Sequence, residues 1–252
     1  VAEHNQDKVH AQYKTWGKRC DRFVAFTNTS KVRGVPAANI VEVHPLFGDG
    51  DNNVWQKLRL MMQTVRAWKD FSTFDFVYIG GDDTFFIPEN LRKLVNEPHY
   101  YYLHRMGVPF LLGHRMVSSH DGAAFVSGAG FVLNNISAKM LSHLVDGSRC
   151  KPDVVGGAED LLIANCLQEY GVQPMNAADE FDEDRMHAFG PGSMDHVVKT
   201  RAMGSWWYPA YRKRPIPAGL GILSTYTISL HYIEPHDALA IAEHLYEKKK
   251  VA

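Results

Sequence analysis

An α/β fold is what this sequence predicts, and three observations carry the prediction. Short apolar, aromatic-rich runs of strand length at 22–27, 40–43 and 75–79 are interleaved with segments of helical period. The last of these runs ends in Gly80-Gly81-Asp82-Asp83-Thr84 and is followed by a helix that opens on Pro88. Acid is thus presented just past the carboxyl end of a buried strand, where open α/β sheets bind ligands. Third, the chain has 252 residues, 45% of them hydrophobic, enough for one large α/β domain or two small ones with a proper core. With no internal repeat and no low-complexity linker, residues 1–252 read as one domain.

Each element has a local reason. Over 5–16, Val9, Tyr13 and Trp16 recur at helical spacing, and Gly17 ends the helix. Gly48-Asp49-Gly50-Asp51 is a turn, after which Asn52 or Asn53 caps a long helix reaching Trp68. Trp55, Leu58, Met61, Met62, Val65 and Trp68 form its apolar face, which reads as core rather than as a cofactor box. Residues 109–113 are a strand. Phe125-Val126-Ser127-Gly128-Ala129-Gly130-Phe131-Val132-Leu133 is a small-residue segment where something approaches the backbone closely. It lacks the third glycine of a dinucleotide fingerprint.

A helix over 137–145 follows. Gly156-Gly157-Ala158-Glu159-Asp160 then opens a helix over 161–170 that stops at Gly171. From 177 to 204, acids, His and Gly without periodicity predict a loop with short helical pieces. Trp206-Trp207-Tyr208-Pro209-Ala210-Tyr211 is an aromatic cluster, residues 226–233 alternate as a strand does, and a terminal helix covers 237–246.

Lys+Arg 27 against Asp+Glu 28 leaves no basic excess, so nothing points to nucleic acid as a partner. No run is long enough to span a bilayer, and the chain does not open on a charged-then-apolar signal segment. Cys20, Cys150 and Cys166 are too few for a disulfide scaffold and match no zinc spacing, so buried free thiols are the default expectation. Two sequons, Asn28-Thr29-Ser30 and Asn135-Ile136-Ser137, are compatible with a glycosylated, oxidising compartment.

The candidate chemistry is acidic. Asp82 and Asp83 are hard oxygen donors suited to a divalent cation and the phosphates it carries. The same pair is also an ordinary turn composition, because Asp bonds local backbone amides. Asp160, in the first turn of a helix, reads either as a carboxylate favoured by the helix dipole or as a base that accepts a proton from a bound hydroxyl. His231 at a strand end is a satisfied, partly buried imidazole or, less commonly, a metal ligand. The Trp206–Tyr211 aromatics suit either a core or the apolar faces of sugar rings, and spacing does not choose between them.

The motifs gain meaning from their order. Tyr13-Lys14-Thr15-Trp16-Gly17-Lys18-Arg19-Cys20, the strand into Asp82-Asp83-Thr84 with Glu89-Asn90-Leu91-Arg92, Ser127-Gly128-Ala129-Gly130-Phe131-Val132-Leu133, Glu159-Asp160-Leu161, Trp207-Tyr208 and Ser229-Leu230-His231-Tyr232 succeed one another across nearly the whole chain. In this the sequence resembles the family-31 inverting β-1,3-glycosyltransferases, and within them the core 1 β-1,3-galactosyltransferase branch.

The resemblance implies a GT-A fold: a Rossmann-like mixed sheet with helices on both faces, binding a nucleotide-sugar with Mn²⁺ in the Golgi lumen. It implies Asp83 as the principal carboxylate ligand of the metal, His231 as the second protein ligand, Asp82 beside them at the donor, and Asp160 as general base. It places Trp207, Trp206, Tyr208 and Glu159 at the acceptor. UDP-galactose is the expected donor and GalNAc on Ser or Thr of a glycoprotein the expected acceptor. A disulfide between Cys150 and Cys166 is also implied, with Cys20 left unpaired. The first strand of the fold is expected to precede Val1, and the full-length protein to carry an N-terminal membrane anchor of type II. Because the relatives often associate, a homodimer is among the expected partners.

Some positions depart from the family pattern. Gly81 stands where the family has the first of three acids, Ala124 where the branch has Tyr, and Ile222 and Leu223 where it has paired cysteines. Two other readings accompany the first. One is a chaperone-like relative that has lost the acidic motif and binds a client transferase. The other is a fringe-like β-1,3-transferase with a different donor or acceptor. Retention of Asp83, Asp160 and His231 favours an enzyme, since positioned acid, base and metal ligands are costly to keep without use.

Overall fold

The computed structural model describes residues 3–45, 53–118, 122–191 and 225–247, and within them the protein is mixed α/β. Helix α1 (Glu3–Thr15) leads through a 3-10 turn to β1 (Ala25–Thr27), which pairs in parallel with β2 (Ile40–Glu42). Then come α2 (Val54–Arg66), β3 (Phe76–Ile79), β4 (Phe85–Phe86), α3 (Pro88–Val95) and α4 (Pro98–Arg105). They are followed by β5 (Leu111–Val117), β6 (Ala124–Asn134), α5 (Asn135–Leu144) and α6 (Glu159–Gln168). The described chain closes with β7 (Pro174–Asn176), β8 (Met186–His187), β9 (Ser229–Leu230) and α7 (Pro235–Ala242), whose end passes into a π-helical turn.

Strand β6 is central in a four-stranded sheet of order β3-β6-β5-β7. It runs antiparallel to β3 and β5, while β5 and β7 are parallel. A smaller sheet of order β4-β9-β8 is likewise mixed. Because alternate strand residues point to opposite faces, the central strands feed two cores. Val77, Ile79, Leu111 and Leu133 pack with Trp55, Leu58 and Met62 of α2, Leu141 of α5 and Ile163 of α6. Phe76, Tyr78, Leu112 and Val132 pack with Val9 of α1, Leu91 and Leu94 of α3 and Ala238 of α7. Helices therefore cover both faces of the sheet.

Several local expectations are modified. Asn53 occupies the N-cap of α2 but makes no side-chain capping bond. Strand β5 continues four residues past Gly113, through His114 and Arg115, which look polar in sequence. His114 is nevertheless buried against Asp184, 3.3 Å away, and a register shift between Gly113 and Arg115 lets the strand continue. The 125–133 segment is the middle of the sheet, and only Ser229 and Leu230 of the alternating 226–233 run join a ladder. The loop beyond 177 contains the two residues of β8.

The default of free thiols fails for two of the three cysteines: Cys150 and Cys166 are disulfide-bonded, and Cys20 is free. The bond joins the turn before α6 to the body of that helix across a separation of 16 residues. Replacing both with Ala should cost about 3 kcal/mol of stability, the chain entropy of a loop of that size. Denaturant unfolding of the double variant checks this, and an unchanged midpoint would contradict it. Of the two sequons, Asn135 is committed to the fold: its amide donates to the carbonyls of Ser72 (2.9 Å) and Phe74 (2.6 Å), and Ser137 is fully buried. Among the described residues no helix is long and apolar enough to cross a membrane.

Candidate active site

The turn after β3 is built before any ligand enters it. Gly81 to Thr84 closes as a β-turn, the Thr84 amide donating to the Gly81 carbonyl at 3.3 Å and the Thr84 hydroxyl at 2.9 Å. Asp82 and Asp83 are its two central residues. From α1, the buried Gln12 carboxamide donates to the carbonyls of Gly81 (2.8 Å) and Thr84 (3.1 Å). From the far side, the Ile233 amide donates to the Asp83 carbonyl at 2.8 Å. The backbone is held from three directions, and the Asp83 carboxylate, which also takes a hydrogen bond from its own backbone amide, reaches across the site. It faces His231, with Oδ2 3.4 Å from Nε2.

Glycine at 81 bears on this arrangement. A Cβ there would stand 2.8 Å from Asp83 Oδ1, so the space a third acid would enter is used by the Asp83 carboxylate itself.

His231 follows directly on β9 and is gripped on both sides. Its ring stacks on Tyr232 at 3.9 Å between centroids, and Tyr232 stacks in turn on Phe189 at 5.7 Å. Tyr232 holds φ at +57°, a left-handed conformation that costs a non-glycine residue about 1–2 kcal/mol. On the other side lies Gly128 of β6, where an added Cβ would come 2.5 Å from His231 Cε1. Gly128→Ala should therefore push the imidazole off Asp83 while leaving the sheet intact. The expected result is metal-dependent ligand binding weakened about 10-fold or more, with the unfolding midpoint little changed, because misoriented ligands typically cost 10–100-fold in metal affinity. Binding equal to wild type would show that His231 takes no part.

The second wall is the start of α6. Gly156 and Gly157 have φ of +90° and +81°, which only glycine adopts freely, and they deliver Glu159 and Asp160 into the first turn of the helix. The Leu161 amide donates to Asp160 Oδ1 at 2.8 Å. Burial, together with the neighbouring Glu159 carboxylate, nonetheless pushes the Asp160 carboxyl up to about 7. Glu159 is also raised, by burial first and by repulsion from Asp83, against opposing pulls from His231 and Lys57. The Tyr232 hydroxyl is raised by burial and by Asp83, Asp160 and Glu159. Asp83 of the β3 turn, the imidazole after β9 and the acids of α6 thus share one electrostatic neighbourhood.

Within it the carboxyls are driven apart. Burial by itself would raise Asp83, but the interaction with His231 and the charge of Lys8 outweigh it and leave this carboxyl below its usual range. Asp83 is therefore anionic at neutral pH while Asp160 is poised between its two forms. Such a separation is how an active site assigns a ligand and a base among similar groups.

The structure brings together Asp83, Glu159, Asp160 and His231 of the sequence candidates, and Asp82 is the residue before Asp83 in the same turn. Trp206, Trp207 and Tyr208 lie outside the described residues. Ala124 is buried at the start of β6, its carbonyl taken by the Gln168 side chain at 2.8 Å. Gln12, Gly128 and Tyr232 were not singled out for their parts in positioning the site. The signal for Gln12 is its place four residues before Trp16, on the face that Trp16 buries.

Among the described residues no group of three or more His, Cys, Asp or Glu side chains converges as a metal cage. Asp83 and His231 alone supply one hard oxygen and one imidazole nitrogen. That two-ligand set fits a cation whose remaining positions belong to phosphate oxygens and water, as is usual for ions that arrive with nucleotides. No family model matches the chain.

Proposed function

We propose that this protein is a divalent-cation-dependent, inverting glycosyltransferase that moves a hexose, galactose from UDP-galactose, in β-1,3 linkage to an acceptor such as GalNAc on Ser or Thr of a glycoprotein. The observation that carries the reading is the pairing of a depressed Asp83 with His231 at 3.4 Å, in the same neighbourhood as an Asp160 carboxyl raised to about 7. Asp83 and His231 would hold Mn²⁺, whose chemistry is Lewis-acid stabilisation of the charge that develops on a departing diphosphate.

The remaining steps belong to the chain. Asp160 accepts the proton of the acceptor hydroxyl at a carboxylate oxygen. That hydroxyl oxygen forms a bond to the anomeric carbon from the face opposite the diphosphate, and the carbon–oxygen bond to phosphate breaks, its electron pair leaving with UDP. One displacement inverts the centre. Glu159 keeps the Asp160 proton affinity high and lies within reach of the acceptor side. A base with this affinity makes kcat/KM rise with pH and level off above about 7.

The disulfide is consistent with an oxidising compartment such as the Golgi lumen, with a type II anchor in the full-length protein as part of the same proposal. The direct test is a product assay: the protein, UDP-galactose, Mn²⁺ and a GalNAc-peptide, with the linkage and anomeric configuration of the product read by NMR. A β-1,3-linked disaccharide supports the proposal. An α-linked product, or free galactose alone, contradicts it.

A further inference from the structure

Strand β6 leaves its ladders beside the proposed site. Gly113 pairs with Phe131 and Arg115 with Val126, so one residue of β5, His114, stands opposite four of β6, Ser127 to Gly130. On the other edge of β6 the pairing with β3 ends at Ile79 and Phe131. The peptide groups of this bulge need partners from outside the ladders, because buried backbone polar groups are almost always paired. Gly128, which lies against the His231 ring, is one of the four.

Tyr78 of β3 supplies such a partner. Val132 is opposite it across the ladder, yet its hydroxyl reaches past that residue and donates to the Ala129 carbonyl at 3.0 Å. Ala129 is fully buried, so bulk solvent does not take the place of this bond. Glycine at 130 makes the approach possible: a Cβ there would fall on the phenol, and its φ of +84° is one that glycine adopts without strain. The Tyr78 ring is itself fixed, stacked on Phe86 at 3.9 Å between centroids and met edge-on by Trp16 at 6.3 Å.

The same hydroxyl borders the acid turn. A Cβ on Gly80 would lie 2.8 Å from the Tyr78 hydroxyl and 2.8 Å from Thr84 Oγ1, the group that donates to the Gly81 carbonyl within the turn. One side chain thus spans both supports of the site, the turn that presents Asp83 and the bulge that carries Gly128 under His231. Groups on separate strands keep a 3.4 Å separation only while the elements carrying them keep theirs.

We infer that Tyr78 is a positioning residue of this site, its hydroxyl locking the β6 bulge to the base of the acid turn so that Asp83 and His231 keep their mutual placement. The inference rests on the proposed cation-dependent reading and adds to it a residue outside the ligand set.

Tyr78→Phe tests it, because the substitution removes the hydroxyl and keeps the stacked ring. Tyr100→Phe is the control: Tyr100 lies in the same core cluster and also donates its hydroxyl to a backbone carbonyl, that of Asn176, at 3.2 Å. Circular dichroism and the unfolding midpoint verify that both variants fold. Each is compared with wild type by calorimetric titration of Mn²⁺ in the presence of UDP. Without metal, the ¹H–¹³C signal of His231 Cε1, the ring atom nearest Gly128, is followed by NMR and assigned by its loss in His231→Gln. The expected result for Tyr78→Phe is Mn²⁺ binding about 10-fold weaker, the low end of what lost outer partners cost a metal site, together with a shifted or broadened His231 signal. Tyr100→Phe should match wild type in both. If Tyr78→Phe leaves either the His231 signal or the Mn²⁺ affinity unchanged, the tyrosine inference is overturned and the transferase reading stands. Equal changes in the two variants would show a general loosening of the core and overturn it likewise. If wild type binds no Mn²⁺ with UDP, the transferase reading fails and the inference fails with it.

Discussion

Asp83→Asn should abolish cation-dependent donor binding. The substitution is isosteric, so the Gly81–Thr84 turn, fixed through backbone groups by Gln12 and Ile233, keeps its shape. What is lost is the negative charge that pairs with His231 and that holds a proton poorly enough to stay ionised. A neutral amide in place of an anionic oxygen ligand leaves a single imidazole, and affinity for a divalent cation should fall by about 100-fold or more, at the upper end of what perturbed ligand sets cost. Nucleotide that binds through the cation is lost with it. Titration with UDP and Mn²⁺ reads the effect. An Asp83→Asn protein that binds UDP with wild-type affinity and still loses that binding to chelator would place the metal elsewhere.

Asp160→Asn separates chemistry from binding. Donor affinity should stay near wild type, because Asp160 is not part of the Asp83–His231 pair. Turnover should fall by about 100- to 10,000-fold, the range a positioned general base supplies. The substitution also carries a stability signature. The Asp160 carboxyl is raised from 3.8 to about 7, so the folded state holds its proton more tightly than the unfolded chain does, and this group stabilises the fold at acidic pH. That contribution declines as pH rises through the window from 3.8 to about 7, and above it the buried anion is a net burden. Asn carries no such burden. The variant should therefore gain in Tm relative to wild type at pH 8 and lose that advantage near pH 4, which thermal unfolding at the two pH values measures. A variant that keeps near-normal transfer would remove Asp160 from the role of base.

The sequence carried the fold class and the acid motif because those signals are local. A strand ending in Gly-Gly-Asp-Asp, a helix with Pro at its first position and a helix face of Trp55, Leu58, Met62 and Val65 are each decided by neighbours within a few residues. Strand β6 was harder. Its glycines read as places of close approach, and they are, Gly128 under His231 and Gly130 under Tyr78. Yet glycine lowers strand propensity, so the segment did not look like the middle of a sheet. His114 hid the second half of β5 for a related reason: its burial depends on Asp184, seventy residues later in the chain.

The site was legible in part for the same physical reason. Each acid and His231 could be picked out singly, each beside a structural alternative: a turn composition for Asp82 and Asp83, a helix-dipole carboxylate for Asp160, and for His231 the commoner state of a satisfied, partly buried imidazole. Their convergence depends on tertiary contacts between the β3 turn, the end of β9 and the start of α6, which no spacing along the chain encodes. The separation of the two aspartates, one depressed and one raised, is a property of that packing alone. So are the grip of Tyr232 and Gly128 on the imidazole and the bracing of the acid turn by Gln12.

The measurement that bears most directly on the central claim is a calorimetric titration of the protein with UDP-galactose, UDP-GlcNAc and UDP-GalNAc, each with Mn²⁺ and with chelator. The account predicts metal-dependent binding of UDP-galactose in preference to the other two, abolished by chelator. Binding of a different sugar would keep the transferase and change its donor, in line with a fringe-like enzyme. No binding of any of the three, with Mn²⁺ present and the protein folded, would contradict the account and turn attention to a client protein as the partner.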